Sequence, residues 1–278
     1  MAISEKIGTI FVVGSARSGS TLLYNILCSD RNVNKAINET HLLGGLCDLY
    51  RYSLSRLDIE QGNYFSNEED ARDFFGNYAC LFLDKVRTRH SVTGHLVLKS
   101  IVLSAAAPTM LKLIPDAFFC FCIRDPRDII ASMIEVGVRQ EALGMPNQYP
   151  RNVQALAQQV LRSYLPCLNE ARGLLGARSL VVKYESLVGN VQESLAAISQ
   201  ATGLDLDDYD PEQGWPRNSI DVEARKQAGA PFLTQHWGKR ITGASIGAYK
   251  AKLDAQEVAI IGATCKVLFD HFGYSMEN

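Results

Sequence analysis

The segment from Gly14 to Thr21 constrains this chain most, and it reads Gly-Ser-Ala-Arg-Ser-Gly-Ser-Thr. It matches the phosphate-binding loop G-x-x-x-x-G-K-[ST], except that Ser20 stands where the lysine is expected. In a nucleoside triphosphatase that lysine reaches the β- and γ-phosphates, while backbone N–H groups and a helix N-terminus hold the other phosphate oxygens. The segment therefore predicts a phosphate site that works without the lysine, with Arg17 as the nearest cation.

The surroundings of the loop predict an α/β fold. Residues 8–13 are an apolar run typical of a buried parallel strand, and similar runs occupy 95–98, 117–123 and 179–182. Helical patterns cover 20–28, 68–87, 104–114, 126–137, 151–175, 190–202 and 255–271, the last stopped by Gly273. Strands that alternate with helices predict three layers, with a central parallel sheet flanked by helices. The stretches 138–150 and 204–245 are interpreted as loops or a lid.

Composition limits the function classes. The 278 residues are 47% hydrophobic, which suits one domain over 1–278, and the net charge of −2 argues against a nucleic-acid or membrane-surface binder. No apolar run approaches the ~18 residues of a membrane span, and the N-terminus leaves no room for a signal peptide before the first strand. The seven cysteines form no C-x-x-C pair, as expected of reduced thiols in a cytoplasmic protein. The oligomeric state cannot be read from the sequence.

A second motif lies at the junction between a strand and a helix, from Ile123 to Ser132. Arg124 closes the strand, and the hydroxyl of Ser132 follows eight residues later. A guanidinium and a hydroxyl would suit a second phosphate if the junction brings them together. The alternative is a solvated ion-pair network at the helix start, formed by Arg124, Asp125, Arg127 and Asp128.

Three charged or phosphate-binding positions follow the ends of predicted strands: Gly14, Lys99 and Arg124. Ligands of parallel α/β sheets bind at the carboxyl ends of the strands. We therefore expect the three positions to converge on one edge of the sheet.

Together the two motifs resemble the sulfotransferases that use 3′-phosphoadenosine 5′-phosphosulfate (PAPS). The resemblance extends over most of the chain and implies a P-loop-like sulfotransferase fold, PAPS as the donor and no metal. It implies that Arg124 and Ser132 bind the 3′-phosphate. The loop residues that it assigns to the 5′-phosphosulfate are Ala16, Arg17, Ser18, Gly19, Ser20, Thr21 and Leu22.

Three weaker matches follow in the same order. The segment Val97-Leu98-Lys99-Ser100 is similar to the family segment whose lysine contacts the sulfuryl group, and Tyr184 matches a tyrosine near the adenine. Ser245, Tyr249 and Lys250 resemble a C-terminal segment that closes over the nucleotide, although the family usually has Trp at the position of Tyr249. Taken singly, Lys99 could equally be a strand-end lysine that reaches solvent, and Tyr184 a residue packed at a helix start.

The catalytic base is the least determined position. Many cytosolic members of the family carry a His two residues after the lysine, where this chain has Ile101. Other members use a carboxylate about twenty residues after the loop, and Glu39 falls there within a residue. His41 is the competitor, because an imidazole titrates near neutral pH. The alternative is that residues 38–40 only cap the following helix.

The function predicted from these residues is sulfuryl transfer to a hydroxyl, amine or N-hydroxyl of a small-molecule acceptor. Arg17 and Lys99 would stabilise the transferred group, and Glu39 would be the base. The acceptor pocket is expected near 40–65, 138–150 and 204–250, with Glu135, Tyr149, Trp215 and Trp237 among its residues. Two alternatives stay open: a P-loop kinase or nucleotide hydrolase with a displaced cation, and an inactive nucleotide-binding relative.

Overall fold

A computed structural model describes residues 8–170, 177–212, 231–232 and 240–276. Within these ranges four parallel strands form one sheet in the order β2-β1-β3-β4. The strands are β1 (Thr9–Gly14), β2 (Leu96–Lys99), β3 (Ala117–Ile123) and β4 (Ser179–Lys183). All four lie where the apolar runs predict them.

The helices of the described ranges connect and cover the strands. They are α1 (Ser20–Leu27), α2 (Leu42–Ser55), α3 (Glu68–Arg89), α4 (Leu103–Leu113), α5 (Pro126–Ala142), α6 (Val153–Glu170), α7 (Tyr184–Gly189), α8 (Val191–Thr202), α9 (Ala255–Thr264) and α10 (Lys266–Phe272). Short 3₁₀ turns occupy Gln61–Asn63 and Ala248–Ala251. None of the described helices combines the length and apolarity of a membrane span.

The sheet is buried on both faces, which explains its continuous apolar strands. Alternate residues of β1 belong to different cores, with Phe11 and Val13 in one and Ile10 and Val12 in the other. The first core includes residues of α2 to α6, α9 and α10, whereas the second contains residues of α1, α7 and α8. The predicted three-layer α/β architecture is therefore confirmed.

Helix α5 begins as its sequence predicts. Pro126 is the first helical residue, and the Asp125 side chain caps the helix by accepting from the backbone N–H of Arg127 at 2.8 Å. The ion-pair alternative is wrong in one respect, because the four charged residues of this junction are buried rather than solvated. Arg127 pairs with Asp125 at 2.7 Å, and such burial is tolerated only when charges have partners.

Two predicted segments differ from the structure. Residues 138–142, expected in a loop, continue α5. Gly137 lies inside this helix, and its lack of a side chain allows the chain at 147–149 to pack closely against the helix. A Cβ at Gly137 would come within 2.6 Å of the Tyr149 carbonyl oxygen. The last predicted helix is divided at Cys265 into α9 and α10, and it ends at Gly273 as expected, with a positive φ of 65°.

The sheet order places a crevice where β1 and β3 lie side by side. The chain passes from β1 to β2 on one side and then to β3 on the other, and Gly14 pairs with Cys122 at the carboxyl ends. Such a switch of direction is where open α/β sheets bind ligands. The loop after β1 and Arg124 after β3 therefore meet at one edge.

Candidate active site

The loop after β1 has the backbone geometry of an anion cradle. Gly14 and Gly19 have φ angles of 147° and 97°, and Arg17 is left-handed at 68°. Within the described ranges the loop N–H groups of residues 16, 17, 19, 20 and 21 donate to no protein acceptor. Together with the N-terminus of α1, these groups are available to bind negatively charged oxygens.

Tyr184 closes one side of the loop. Its ring packs on Gly19, where an added Cβ would lie 3.1 Å from Cε2 and nearer still to Cδ2. The guanidinium carbon of Arg124 lies 4.5 Å from the centre of the same ring. Position 19 therefore requires glycine, both because its φ is positive and because a Cβ would collide with the ring. The structure also brings Tyr184, Arg124 and the loop together.

A tyrosine that the sequence analysis missed fixes the start of the loop. The hydroxyl of Tyr164, on α6, accepts from the backbone N–H of Ser15 at 2.8 Å and donates to the carbonyl of Cys122 at 2.9 Å. It thereby joins the ends of β1 and β3. The sequence signal that could have found it is a tyrosine on the apolar face of this helix, because the hydroxyl of a tyrosine buried there needs hydrogen-bond partners.

The side chain of Arg17 reaches across the crevice to α5. Its Nε donates to Ser132 Oγ at 3.2 Å, and its Nη1 donates to the carbonyl of Phe232 at 3.1 Å. Burial, together with the nearby Arg139 and Arg124, lowers the pKa of Arg17 to about 10. The guanidinium stays protonated at neutral pH, in surroundings where an anion would stabilise it.

Arg124 lies against the loop but does not contact Ser132, so the structure does not bring the two predicted 3′-phosphate residues into direct contact. Its Nη1 donates to the carbonyl of Arg17 at 3.4 Å and its Nη2 to the carbonyl of Ser245 at 2.5 Å. Arg17 therefore lies between Arg124 and Ser132. The Nε of Arg124 is buried with no partner among the described residues, as expected of a donor left for a ligand.

Asp128 attaches the C-terminal segment to α5. Its carboxylate accepts from the backbone N–H groups of Gly247 and Tyr249 at 2.8 and 3.0 Å, and burial raises its pKa. Tyr249 is buried, and its ring lies 4.5 Å from the guanidinium carbon of Arg127. Lys250 is exposed and makes no contact with the loop within the described ranges. Of this predicted group, Ser245 contacts the predicted site residue Arg124 through its carbonyl, and Tyr249 contacts Asp128 and Arg127 at the start of α5.

Glu39 and Lys99 meet at the carboxyl end of β2. Lys99 Nζ donates to Glu39 Oε2 at 2.7 Å, and the backbone N–H of Ile101 donates to Oε1 at 2.7 Å. The two side chains are only 23% and 14% exposed. Glu39 therefore does not cap α2, and Lys99 does not extend into solvent. His41 is the exposed residue that precedes α2.

Tyr149 is a buried residue within reach of the charges of both halves of the site. Burial raises its pKa, while the charge of Arg17 lowers it and that of Glu39 raises it, so its hydroxyl senses both groups. Its ring is part of the larger core. The predicted pocket residues Trp215 and Trp237, and much of 204–250, lie outside the described residues.

The fold and the cationic crevice define a phosphate-loop α/β protein, and comparisons with known proteins specify its family. A model described as "Sulfotransferase family" matches residues 9–208. The chain belongs to the sulfotransferase family and is a sulfuryl-transferring enzyme.

Three similar proteins agree with this assignment. A candidate protein-tyrosine sulfotransferase of Caenorhabditis briggsae is 26% identical over 236 residues, covering 77% of this chain and 78% of the relative. The sulfotransferase domain of the Synechococcus PCC 7002 olefin synthase has a TM-score of 0.62 at 20% identity, covering 99% and 98% of the two chains. Mouse sulfotransferase SULT7A1, solved with PAP, has a TM-score of 0.52 at 13% identity, covering 98% and 90%. At such identities the solved structures support the shared fold alone.

Proposed function

We propose that this enzyme transfers the sulfuryl group of PAPS to a hydroxyl group of its acceptor, with Glu39 as the base. The observation that carries the proposal is the contact of Glu39 with Lys99, at the sheet edge that also carries the phosphate loop. Base and cation are thereby held beside an anion cradle. An assay of sulfuryl transfer also tests amine and N-hydroxyl acceptors.

The described residues fit a donor with two separate anionic groups. The free loop N–H groups and the N-terminus of α1 suit the 5′ end. The unpartnered Nε of Arg124 suits the 3′-phosphate, with Ser132 on the far side of the Arg17 side chain. Tyr184, which packs between Gly19 and Arg124, suits the adenosine. When bound, PAPS supplies an activated sulfuryl group on a phosphate leaving group. The mouse relative was solved with PAP, which supports the same class of ligand.

Glu39 is suited to take a proton because hydrogen bonds orient both of its carboxylate oxygens. Lys99 stabilises its carboxylate at Oε2, and the N–H of Ile101 fixes Oε1. Each oxygen retains a second lone pair for the acceptor hydroxyl. The acceptor proton passes to Glu39, and a positioned base of this kind contributes about 10² to 10⁴ in rate.

Arg17 and Lys99 stabilise the charge that develops during transfer. Arg17 is oriented by its hydrogen bond to Ser132. Burial and neighbouring arginines lower its pKa, so its charged form would interact strongly with a nearby anion. Lys99 exchanges part of its contact with Glu39 for the transferring oxygens as Glu39 becomes protonated. Each such positioned cation is worth a few kcal/mol of transition-state stabilisation.

The test is transfer from radiolabelled PAPS to a panel of phenols, alcohols and amines, with PAP affinity measured in parallel and without magnesium. Glu39→Gln should keep PAP affinity and lose at least about 100-fold in kcat. His41→Ala, at an exposed position beside it, is the matched control and should keep at least half of the activity. Full activity of Glu39→Gln would refute the base assignment.

The same assay separates the alternatives. A P-loop kinase or hydrolase requires Mg·ATP turnover and a free acid at the end of a strand. Asp125 follows β3, but its carboxylate caps α5 and pairs with Arg127. An inactive relative would bind PAP and transfer to no acceptor, and Glu39→Gln would then have no effect.

A further inference from the structure

Arg139, in the last turn of α5, is a cation that the donor site does not use. Its Nε donates to the carbonyl of Pro231 at 2.8 Å, and its Nη2 is buried with no partner among the described residues. No carboxylate of the described residues pairs with it, and the nearest acid on its helix face, Glu135, pairs instead with Lys252 at 2.7 Å. Arg139 is half-buried, and a shielded cationic donor without an acceptor is costly, so this arrangement indicates an absent ligand.

Arg139 lies close to Arg17. The two guanidiniums donate to the carbonyls of consecutive residues, Pro231 and Phe232, whose Cα atoms are about 3.8 Å apart. Arg139 is also the nearby charge that contributes most to the lowered pKa of Arg17. Glu135 also lies near Arg17 but pairs with Lys252, so the two adjacent arginines together form a site for an anion.

The positions along α5 place Arg139 far from the helix start, which Arg124 precedes. Arg124 precedes the helix, Ser132 follows two turns later, and Arg139 lies a further seven residues along. At 1.5 Å per residue, Arg139 is about 10 Å beyond Ser132 and about 20 Å beyond the start of the helix. The backbone of Arg139 therefore lies far from Arg124, and its side chain extends to the Pro231–Phe232 carbonyls to meet Arg17.

The acceptor side of the site continues from Arg139 to the base. Arg139 accepts through its carbonyl from the N–H of Leu143, which begins the 143–150 segment. That segment contains Tyr149, which is buried within reach of the charges of both Arg17 and Glu39. Since Arg17 is proposed to contact the transferred sulfuryl group, an anion held at Arg139 lies beside the site of transfer, where the acceptor must also bind.

We propose that Arg139 binds a carboxylate of the acceptor, so that the enzyme selects hydroxylated acceptors that carry a negative charge. This inference rests on the proposed sulfuryl transfer, with the acceptor hydroxyl at Glu39. Arg139 is then the specificity-determining residue, and Tyr149 lines the space between the two ends.

The test uses a matched pair of probes that differ only in charge. Binding of 4-hydroxyphenylacetate and of its amide, 4-hydroxyphenylacetamide, is measured by calorimetry on the full chain saturated with PAP. A phenol is chosen because one relative is a candidate protein-tyrosine sulfotransferase. A charge-assisted contact predicts that the acid binds at least about tenfold more tightly than the amide.

The preference should depend on Arg139. Arg139→Gln should reduce the acid-to-amide ratio to below about threefold, Arg139→Lys should keep part of it, and Arg162→Gln, an exposed arginine of α6, should leave it unchanged. Thermal unfolding of each variant verifies folding. Equal binding of the two probes by the wild type overturns the inference, as does a loss of PAP affinity in Arg139→Gln that matches the loss for the acid. Failure of the wild type to bind PAP would instead refute the proposed donor.

Discussion

Replacing Gly19 by Ala should damage donor binding more than folding. The added Cβ would lie within 3.0 Å of Tyr184 Cδ2 and 3.1 Å from Cε2, whereas carbon atoms normally pack at 3.5–4.0 Å. The ring must therefore retreat by at least about 0.5 Å from the loop, together with Arg124, which lies 4.5 Å from its centre. A φ of 97° adds a backbone cost of about 1–2 kcal/mol for a residue with a Cβ.

We expect the affinity for PAP to fall at least tenfold, or about 1.4 kcal/mol, as measured by isothermal calorimetry. Gly203→Ala is the matched control, because Gly203 also has a positive φ of 73° but no atom within 4 Å of its added Cβ. It should lower the free energy of unfolding by about 1 kcal/mol and leave PAP affinity unchanged.

A double mutant isolates the steric contribution. In a Tyr184→Ala background the ring is absent, so Gly19→Ala should cost only its backbone contribution, and the two substitutions should couple by at least about 1 kcal/mol. PAP affinity of Gly19→Ala equal to that of the wild type would refute the account of the loop.

Tyr164→Phe should lower the free energy of unfolding by about 2–4 kcal/mol and weaken PAP binding, because it leaves two buried backbone groups without a partner. The control is Tyr78→Phe, at a side chain that is 54% exposed, which should cost less than about 0.5 kcal/mol in the same denaturant titration. A thiol reagent at pH 8 should react with the exposed Cys80 alone among the seven cysteines. The other six are buried, and burial raises the pKa of thiols such as that of Cys122 to about 12. Reaction of more than one equivalent of reagent with the native protein would contradict this burial. Burial raises the pKa of Asp128, so the folded state binds its proton more tightly than the unfolded chain, and the stability that this carboxyl contributes decreases as pH rises above its ordinary value of 3.8. The unfolding free energy of wild type relative to Asp128→Asn should accordingly decrease between pH 4 and 6.5, whereas the exposed Asp270→Asn should change stability by less than about 0.5 kcal/mol at either pH.

The sequence predicted the parts of the fold whose signals are local. A run such as 117–123 can only be a buried strand in this context, and glycines at 14 and 19 are required by positive φ angles. The C-terminal stop at Gly273 has the same origin. Parallel strands present their carboxyl ends at the same edge of a sheet. This rule predicts that the phosphate loop after β1 lies beside the ends of the other strands.

Contacts between distant segments could not be predicted in this way. The helical pattern was predicted to stop at 137, yet Gly137 lies within α5, where the chain at 147–149 packs against it. Arg139 lay in a segment interpreted as a loop, so its side chain had no predicted position. The pairing of Glu39 with Lys99 depends on the length of the connection from α1, which no motif encodes.

The hydroxyl of Tyr164 makes the phosphate cradle a property of the whole sheet and not of a transferable cassette. Strand β1, the loop and α1 form a continuous peptide of under twenty residues, but the first N–H of the loop is bonded to a helix 149 positions later in the chain. Grafting this peptide onto another α/β scaffold would carry the motif without its anchor. Protein engineers who wish to move the site should therefore transplant β3 and α6 with it.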